Sequence, residues 1–309
     1  MFSPLSFKGK NVFITGHTGF KGAWLTQWLL QLGANVTGYS LAPSYSSSLY
    51  EILCHEQSIV SNIGDLLDFH KLSNAIITSK PDFVFHLAAQ AIVSTSYKDP
   101  LRTISSNVLG TANVLEALRA IGSPCVVVCI TSDKAYANCE WPWGYRETDN
   151  LGGSDIYSGS KGAAELIISS YYKSFFNHTN CPIRVGVARA GNVIGGGDWA
   201  SDRLIPDIYS QWYSSNPLGV RSPLSTRPWQ HVLEPLSGYL ALADVLTTKP
   251  ELSGEAFNFG PSSISSFTVK QIIDELFKLY PSNDFPPYIL TKASTFKESS
   301  LLKLNCDKA

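Results

Sequence analysis

A doubly wound α/β architecture, with a smaller mixed α/β unit toward the C-terminal end, is what this 309-residue sequence predicts. Three observations carry the expectation. The first is a β-α-β unit at the chain start. Lys10-Asn11-Val12-Phe13-Ile14-Thr15 ends in Gly16-His17-Thr18-Gly19-Phe20-Lys21-Gly22; an apolar helix follows from Ala23 to Leu32, and a second strand from Asn35 to Tyr39. The second is the unbroken apolar run Cys125 to Ile130, the mark of a parallel strand buried on both faces. The third is a helix carrying Tyr157 and Lys161, four residues apart and so one turn apart on one face.

Composition narrows the class. Hydrophobic residues make up 44% and charged residues 16%, as in a well-buried globule. A net charge of −1 gives no electrostatic case for nucleic acid or an anionic membrane. No apolar run reaches the length of a membrane span, and Met1 to Lys10 lacks an apolar signal core. The six cysteines (Cys54, Cys125, Cys129, Cys139, Cys181 and Cys306) form no C-x-x-C pair, so reduced thiols in a cytoplasm are expected, with neither disulfide nor zinc.

Taken in order, the glycine turn combines a tight reversal, a backbone without Cβ that can approach a diphosphate, and N–H groups at a helix start. Gly16, Thr18, Gly19, Phe20, Lys21 and Gly22 are thus candidates for holding a dinucleotide, the alternative being a plain glycine-rich turn. The second strand ends Gly38-Tyr39-Ser40-Leu41, with neither the NAD-selecting carboxylate nor an arginine for a 2′-phosphate, so NAD and NADP are not separated there. Asp65 stands either to bond an adenine amine or to cap a helix from Leu66 onward. Pro81 to Gln90 reads as a strand followed by small residues, which let the backbone pass close to a cofactor. A helix spans Ser106 to Leu118.

Thr131-Ser132-Asp133-Lys134 leaves the carboxyl end of the apolar strand, the edge at which such sheets bind ligands. An aromatic loop with Trp141, Trp143 and Tyr145 leads to the Tyr157 helix. A lysine ammonium beside a phenol favours the phenolate, so the Tyr157 pKa is expected to fall; a chance pair on a surface helix is the alternative. Arg184 to Ala188 is a further buried strand. Arg203, Arg221 and Arg227 then recur with His231 near, a set that suits an anionic diphosphate, although each alone also fits ordinary surface charge. Phe257 to Gly260 reads as a short strand and turn, Val269 to Leu279 as an amphipathic helix, and the tail from Thr291 is polar. The expected division is a dinucleotide-binding unit with the catalytic residues over 1–190 and a mainly substrate-binding unit over 191–309.

In this order, the glycine turn, His86-Leu87-Ala88-Ala89, the polar triad and Tyr-x-x-x-Lys resemble the extended short-chain dehydrogenase/reductase family over essentially the whole chain from Lys10. The glycine turn, Thr131 to Lys134, Arg189 to Trp199, and Arg227 to Leu236 are similar to strings of its nucleotide-sugar 4,6-dehydratases. Relatives acting on dTDP- and GDP-sugars carry Glu at the position of Lys134, so Asp133-Lys134 points to the CDP-sugar branch.

The resemblance implies a Rossmann fold, bound NAD, and a redox-neutral elimination on CDP-glucose. Tyr157, assisted by Lys161, takes the 4-hydroxyl proton, Ser132 orients that hydroxyl, Asp133 protonates the departing 6-hydroxyl, and Lys134 occupies the position of the C5 base. To the glycine turn as NAD contacts it adds Tyr39, Asp65 and Leu66, then Leu87, Ala88, Ala89 and Gln90, and finally Asn107, Tyr157 and Lys161. Arg203, Arg221 and Arg227 serve the diphosphate and ribose, with Asn192 and Asn258 as further substrate contacts. Helices 107–119 and 157–175 are expected to pair in a homodimer, or a tetramer. Ile156, Gly159 and Ala137 depart from the family pattern, and members continue past Ala309 into another helical segment, so the chain is a natural short form, a truncated one or the ordered part only, and the closure of the second unit stays open. Two rivals use the same sequence features. An NAD-dependent sugar epimerase needs Ser132, Tyr157 and Lys161 but no acid/base pair at 133 and 134; a non-catalytic dinucleotide sensor usually lacks the Tyr or the Lys.

Overall fold

The computed structural model describes residues 3–309 except 54, 215–216, 263–266, 280–287 and 292–298. Its main sheet contains β1 (Asn11–Thr15), β2 (Asn35–Ser40), β3 (Val60–Ile63), β4 (Phe83–His86), β5 (Cys125–Ile130), β6 (Ile183–Ala190) and β7 (Ala256–Phe259). All are parallel, in the order β7-β6-β5-β4-β1-β2-β3. The order reverses between β1 and β4, so the loops leaving these strands diverge and open a crevice at their carboxyl ends.

Strand alternation sorts the side chains into two layers. Val12 and Ile14 pack with Leu25 and Leu29 of α1 (Phe20–Gln31) on one side. Phe13 packs with Leu72 and Ile76 of α2 (Phe69–Ser79) on the other. In β5, Val126, Val128 and Ile130 belong to the first layer, and Cys125, Val127 and Cys129 to the second. No face of that strand meets water, which is why its sequence has no polar residue.

The helix expected from Ser106 starts earlier and is not uniform. It runs as Pro100–Ile104, a wide π turn over Ser105–Leu109, then α3 (Gly110–Arg119). Further on lie α4 (Ile156–Tyr171), α5 (Leu204–Tyr213), α6 (Leu233–Thr248) and α7 (Val269–Leu279). Asp155 caps α4, accepting the Ser158 N–H at 2.9 Å.

The chain crosses the boundary expected at 190/191. α6 returns to lay Leu236, Tyr239, Leu240 and Ala243 on the first layer, and β7 pairs with β6 as the seventh strand of the large sheet. A smaller unit is assembled from what remains. α5 and α7 share a small core of Ile208, Leu218, Val220 and Ile273, edged by two-residue strand pairs such as Gly219–Val220 with Ile289–Leu290. Among the described residues, no helix is long and apolar enough to cross a membrane. The five described cysteines are free thiols, and burial pushes Cys129 up to about 12; Cys54 lies outside the described residues.

Two histidines are built in as neutral rings. His86 sits between the hydroxyls of Thr15 (2.7 Å) and Thr111 (2.9 Å), and His17 Nε2 meets Ser61 Oγ at 2.8 Å. Burial lowers His86 from 6.5 to about 3 and His17 from 6.5 to about 4. The unfolded chain therefore takes up protons at pH values where the fold does not, so this share of the stability is complete above pH 6.5 and drains away as pH falls toward 4 and then 3. Each unit of depression corresponds to about 1.4 kcal/mol. The melting temperature is accordingly expected to fall between pH 6.5 and 4, less steeply in a His86→Gln variant; an unchanged slope in that variant would refute this account.

Candidate active site

The carboxyl ends of the central strands open into one cavity of about 1230 Å³. A single small ligand usually needs about 300–1,000 Å³, so there is room for two. At one end is the glycine turn. Gly16 has φ +80, and a Cβ there would come within 2.8 Å of the Ala88 backbone nitrogen. A Cβ on Gly22 would lie 2.0 Å from the Gly16 carbonyl oxygen. Backbone thus meets backbone where β1, α1 and the end of β4 converge. α1 begins at Gly19 without a side-chain cap, so its first-turn N–H groups remain available to an anion beside Thr18, Phe20 and Lys21 on the cavity wall. Leu87, Ala88 and Ala89 continue the wall.

Four expected cofactor contacts are placed differently or more specifically. Tyr39 is fully buried in the second layer, and its hydroxyl donates to the Asp65 carbonyl at 2.9 Å, so it is a core residue beneath the site. Asn107 does not reach the cavity. It accepts the Gln90 N–H at 2.8 Å and donates to the Gln90 carbonyl (3.1 Å) and to Ser160 Oγ (2.9 Å), tying the end of β4 to α4. Gln90 spends its side chain on Ile92 and Thr103. Asp65 is on the cavity wall and is not a helix cap, that position being taken by Asp68, which accepts the Lys71 N–H at 3.1 Å. Burial disfavours the Asp65 carboxylate, but the Leu67 N–H and an ion pair with Arg102 at 2.5 Å outweigh it and hold its pKa below the usual range. Leu66 lines the cavity beside it.

At the centre, Ser132, Asp133, Lys134, Tyr157 and Lys161 all face the cavity. Ser132 is the N-terminal cap of a single helical turn over Asp133–Ala135; its hydroxyl donates to Asp133 Oδ1 at 2.9 Å and accepts the Lys134 N–H at 3.2 Å. Asp133 is 3% exposed, and its Oδ2 has no hydrogen-bond partner. Burial raises its pKa against the pull of Lys134, a shift toward the acid form.

The expected depression of Tyr157 is absent. Burial, helped by the Asp133 charge, pushes its pKa up to about 12, against opposing pulls from Ser132 and Arg203. Lys161 Nζ lies 5.9 Å from the Tyr157 ring centre and is itself lowered to about 8 by burial, which Glu165 partly offsets. A lysine with a pKa near 8 still carries its charge at neutral pH, so the phenol stays high because its own burial dominates. Lys21 is lowered similarly, to about 7, by burial and by the charges of Lys161 and Arg203.

On the far side, Arg203, Arg221, Arg227 and Asn192 line the cavity. Arg203 pairs with Asp198 at 2.8 Å and Arg221 with Asp202 at 3.7 Å; Asp202 also accepts from Ser94 at 2.5 Å. Asn258 does not belong to this set. It is fully buried, and its amide bridges the Tyr136 hydroxyl (2.8 Å) and the carbonyls of Tyr145 and Asn305 (2.9 Å each). His231 is exposed and accepts the Leu233 N–H at 3.3 Å.

Sequence reasoning missed the carboxylate partners Asp198 and Asp202, the Arg102 that engages Asp65, and a buried pair behind the site. Arg189 Nε bonds both Glu165 oxygens (2.9 and 2.8 Å), and its Nη1 donates to the Tyr136 hydroxyl (2.8 Å) and the Glu147 carbonyl (3.1 Å). Thr131 Oγ1 donates to Glu165 at 2.6 Å. The one available signal was the spacing of Glu165, a turn beyond Lys161 on the same helix.

Comparison with known proteins places these features in context. The family model described as GDP-mannose 4,6 dehydratase matches residues 13–185. The chain is 49% identical over 306 residues to the CDP-glucose 4,6-dehydratase of Salmonella typhimurium, covering 98% of this chain and 85% of the relative. Among solved structures, the epimerase Mth375 of Methanothermobacter thermautotrophicus superposes with a TM-score of 0.83 at 23% identity, over 99% of this chain and 86% of that one. The dTDP-glucose 4,6-dehydratase DesIV of Streptomyces venezuelae, solved with NAD bound, gives 0.81 at 18% identity, over 96% and 88%.

The buried pair generates a stability prediction. Arg189→Met strands the Glu165 carboxylate out of water and is expected to cost about 3–5 kcal/mol in a denaturant titration. Adding Glu165→Leu to that variant should recover most of the loss; a double variant as unstable as the single one would contradict the pairing.

Proposed function

We propose a reaction from one premise: the chain belongs to the GDP-mannose 4,6-dehydratase family, on the extended short-chain dehydrogenase/reductase scaffold. The protein converts CDP-glucose to CDP-4-keto-6-deoxyglucose and water, the reading supported by its near-full-length likeness to a CDP-glucose 4,6-dehydratase. The observation that carries elimination over epimerisation is Asp133, a buried carboxyl with one unpartnered oxygen in the cavity that holds Tyr157 and Ser132. Sugar inversion alone has no use for such an acid.

NAD fits the cradle of Gly16 to Gly22, whose close backbone contacts leave no space for side chains and whose helix start is uncapped. The adenosine end falls to Asp65 and Leu66, and the wall of Leu87, Ala88, Ala89 and Gln90 leads inward. Arg102 is engaged by Asp65, which argues against a 2′-phosphate. When bound, NAD supplies the acceptor for the C4 hydride, its return to C6, and a positive charge beside the phenol.

Tyr157 takes the 4-hydroxyl proton, with Ser132 orienting that hydroxyl. The new 4-ketone acidifies C5–H. Lys134 takes the C5 proton as a base, and Asp133 delivers a proton to the departing 6-hydroxyl, so that water leaves across C5 and C6. Lys161 holds positive charge next to Tyr157. Arg203, Arg221, Arg227 and Asn192 bind the diphosphate, the ribose and part of the sugar. Two copies pair through the apolar face of Leu101, Ile104, Leu109, Ile156, Leu166 and Phe175, all exposed here, with open space above Gly159 for a close helix approach.

Incubation with CDP-glucose should give a 4-keto-6-deoxy product that absorbs in alkali; inversion of a UDP-sugar with no product from CDP-glucose would favour the epimerase. Asp133→Asn is expected to lower kcat by about 10²–10⁴-fold. Lys134→Gln is expected to slow exchange of the C5 proton with solvent, and exchange at the wild-type rate would remove Lys134 from the base role.

A further inference from the structure

Beyond Arg203 and Arg221 the cavity continues into an arm that none of the roles above uses. Leu204, Leu218, Gly219, Val220 and Leu276 line it, backed by the core of Ile208 and Ile273. If the sugar sits at Ser132 and Tyr157 and the arginines hold the diphosphate and ribose, the base of the nucleotide is left to this arm. This step rests on the CDP-glucose reading.

A slot for a flat heterocycle needs apolar walls and a few fixed polar groups to set its identity. Two described carboxylates border the arm, Asp207 and Glu275. Glu275 is mostly exposed and bonded to Lys278 at 2.6 Å. Asp207 lies in the first turn of α5, next to Ile208, which anchors the helix in the small core. Its carboxylate is half-buried, close to Asp202 and Arg221. Burial, then the Asp202 charge, raises its pKa to about 6, against a backbone hydrogen bond from Asp202 and the charge of Arg221.

We propose that Asp207 is the residue that selects the base, its carboxylate accepting a hydrogen bond from the 4-amino group of cytosine. Uracil and thymine carry a carbonyl oxygen at that position. They would set one acceptor against another and leave the carboxylate unpaired, and a site built to bond a donor discriminates strongly against an analogue lacking it. An asparagine has the same shape but can also turn its NH₂ toward the carbonyl, so a single substitution relaxes the preference.

Binding of CDP and UDP to the full-length protein by titration calorimetry tests this without turnover. The wild type is expected to prefer CDP. Asp207→Asn should reduce the CDP:UDP affinity ratio by about 10- to 100-fold, the worth of one charge-assisted hydrogen bond, through weaker CDP and stronger UDP binding. Asp207→Leu should reduce it through the loss of CDP affinity alone. An unchanged ratio, or an equal loss for both nucleotides in both variants, overturns the proposal. Turnover separates the two readings. If the ratio shifts as expected but no product forms from CDP-glucose, Asp207 keeps its role and the dehydratase reading falls; if product forms and the ratio does not move, the reverse holds.

Discussion

Glu165 and Arg189 face each other at 4% exposure or less, one turn below Lys161 and at the carboxyl end of β6. Charges taken out of water are costly unless every polar atom is answered. Here most are answered, by Thr131, Tyr136 and the Glu147 carbonyl as well as by each other. The partners come from β5's end, α4, β6 and the aromatic loop, so the pair holds in one register the separate elements that carry Ser132, Asp133, Tyr157 and Lys161. The reactive groups are supplied by different segments, and their mutual geometry depends on this join.

Burial disfavours the charged form of several groups at the site. Burial raises Tyr157 to about 12 and raises Asp133, and it lowers Lys161 to about 8 and Lys21 to about 7. For Asp133 this suits a proton donor directly. For Tyr157 it means that the phenol is not a ready base until positive charge arrives beside it.

Much of this was legible in the chain because it depends on periodicity or close backbone approach. The glycine turn, the unbroken β5 run and the Tyr157/Lys161 spacing each name a local geometry, and the fold has all three. What sequence could not give was the direction of a side chain. Tyr39 and Asn258 occupy plausible binding positions, yet alternation and packing turn both inward, where hydrogen bonds absorb their polar atoms. Asn107 sits in a π turn, which no propensity forecasts, and serves backbone where a ligand was expected. The Asp198–Arg203 and Asp202–Arg221 pairs, and the return of α6 and β7 to the large sheet, join residues whose proximity only the folded chain creates.

The Asn258 amide also binds the carbonyl of Asn305, while Tyr145 exchanges backbone bonds with Lys303 and Asn305. Leu302 and Leu304 bury themselves against Tyr136 and Tyr145, the same Tyr136 that bonds Arg189. During synthesis, the strands and the glycine turn emerge long before this clasp exists. Most of the large sheet can collapse early, but the loop carrying Tyr136 gains its last support only once Leu302 to Asn305 have been made. The order in which the chain folds and the support of the loop next to Asp133 are thus coupled through Leu302, Leu304 and Asn305, so loss of these contacts would keep the large sheet and loosen that loop.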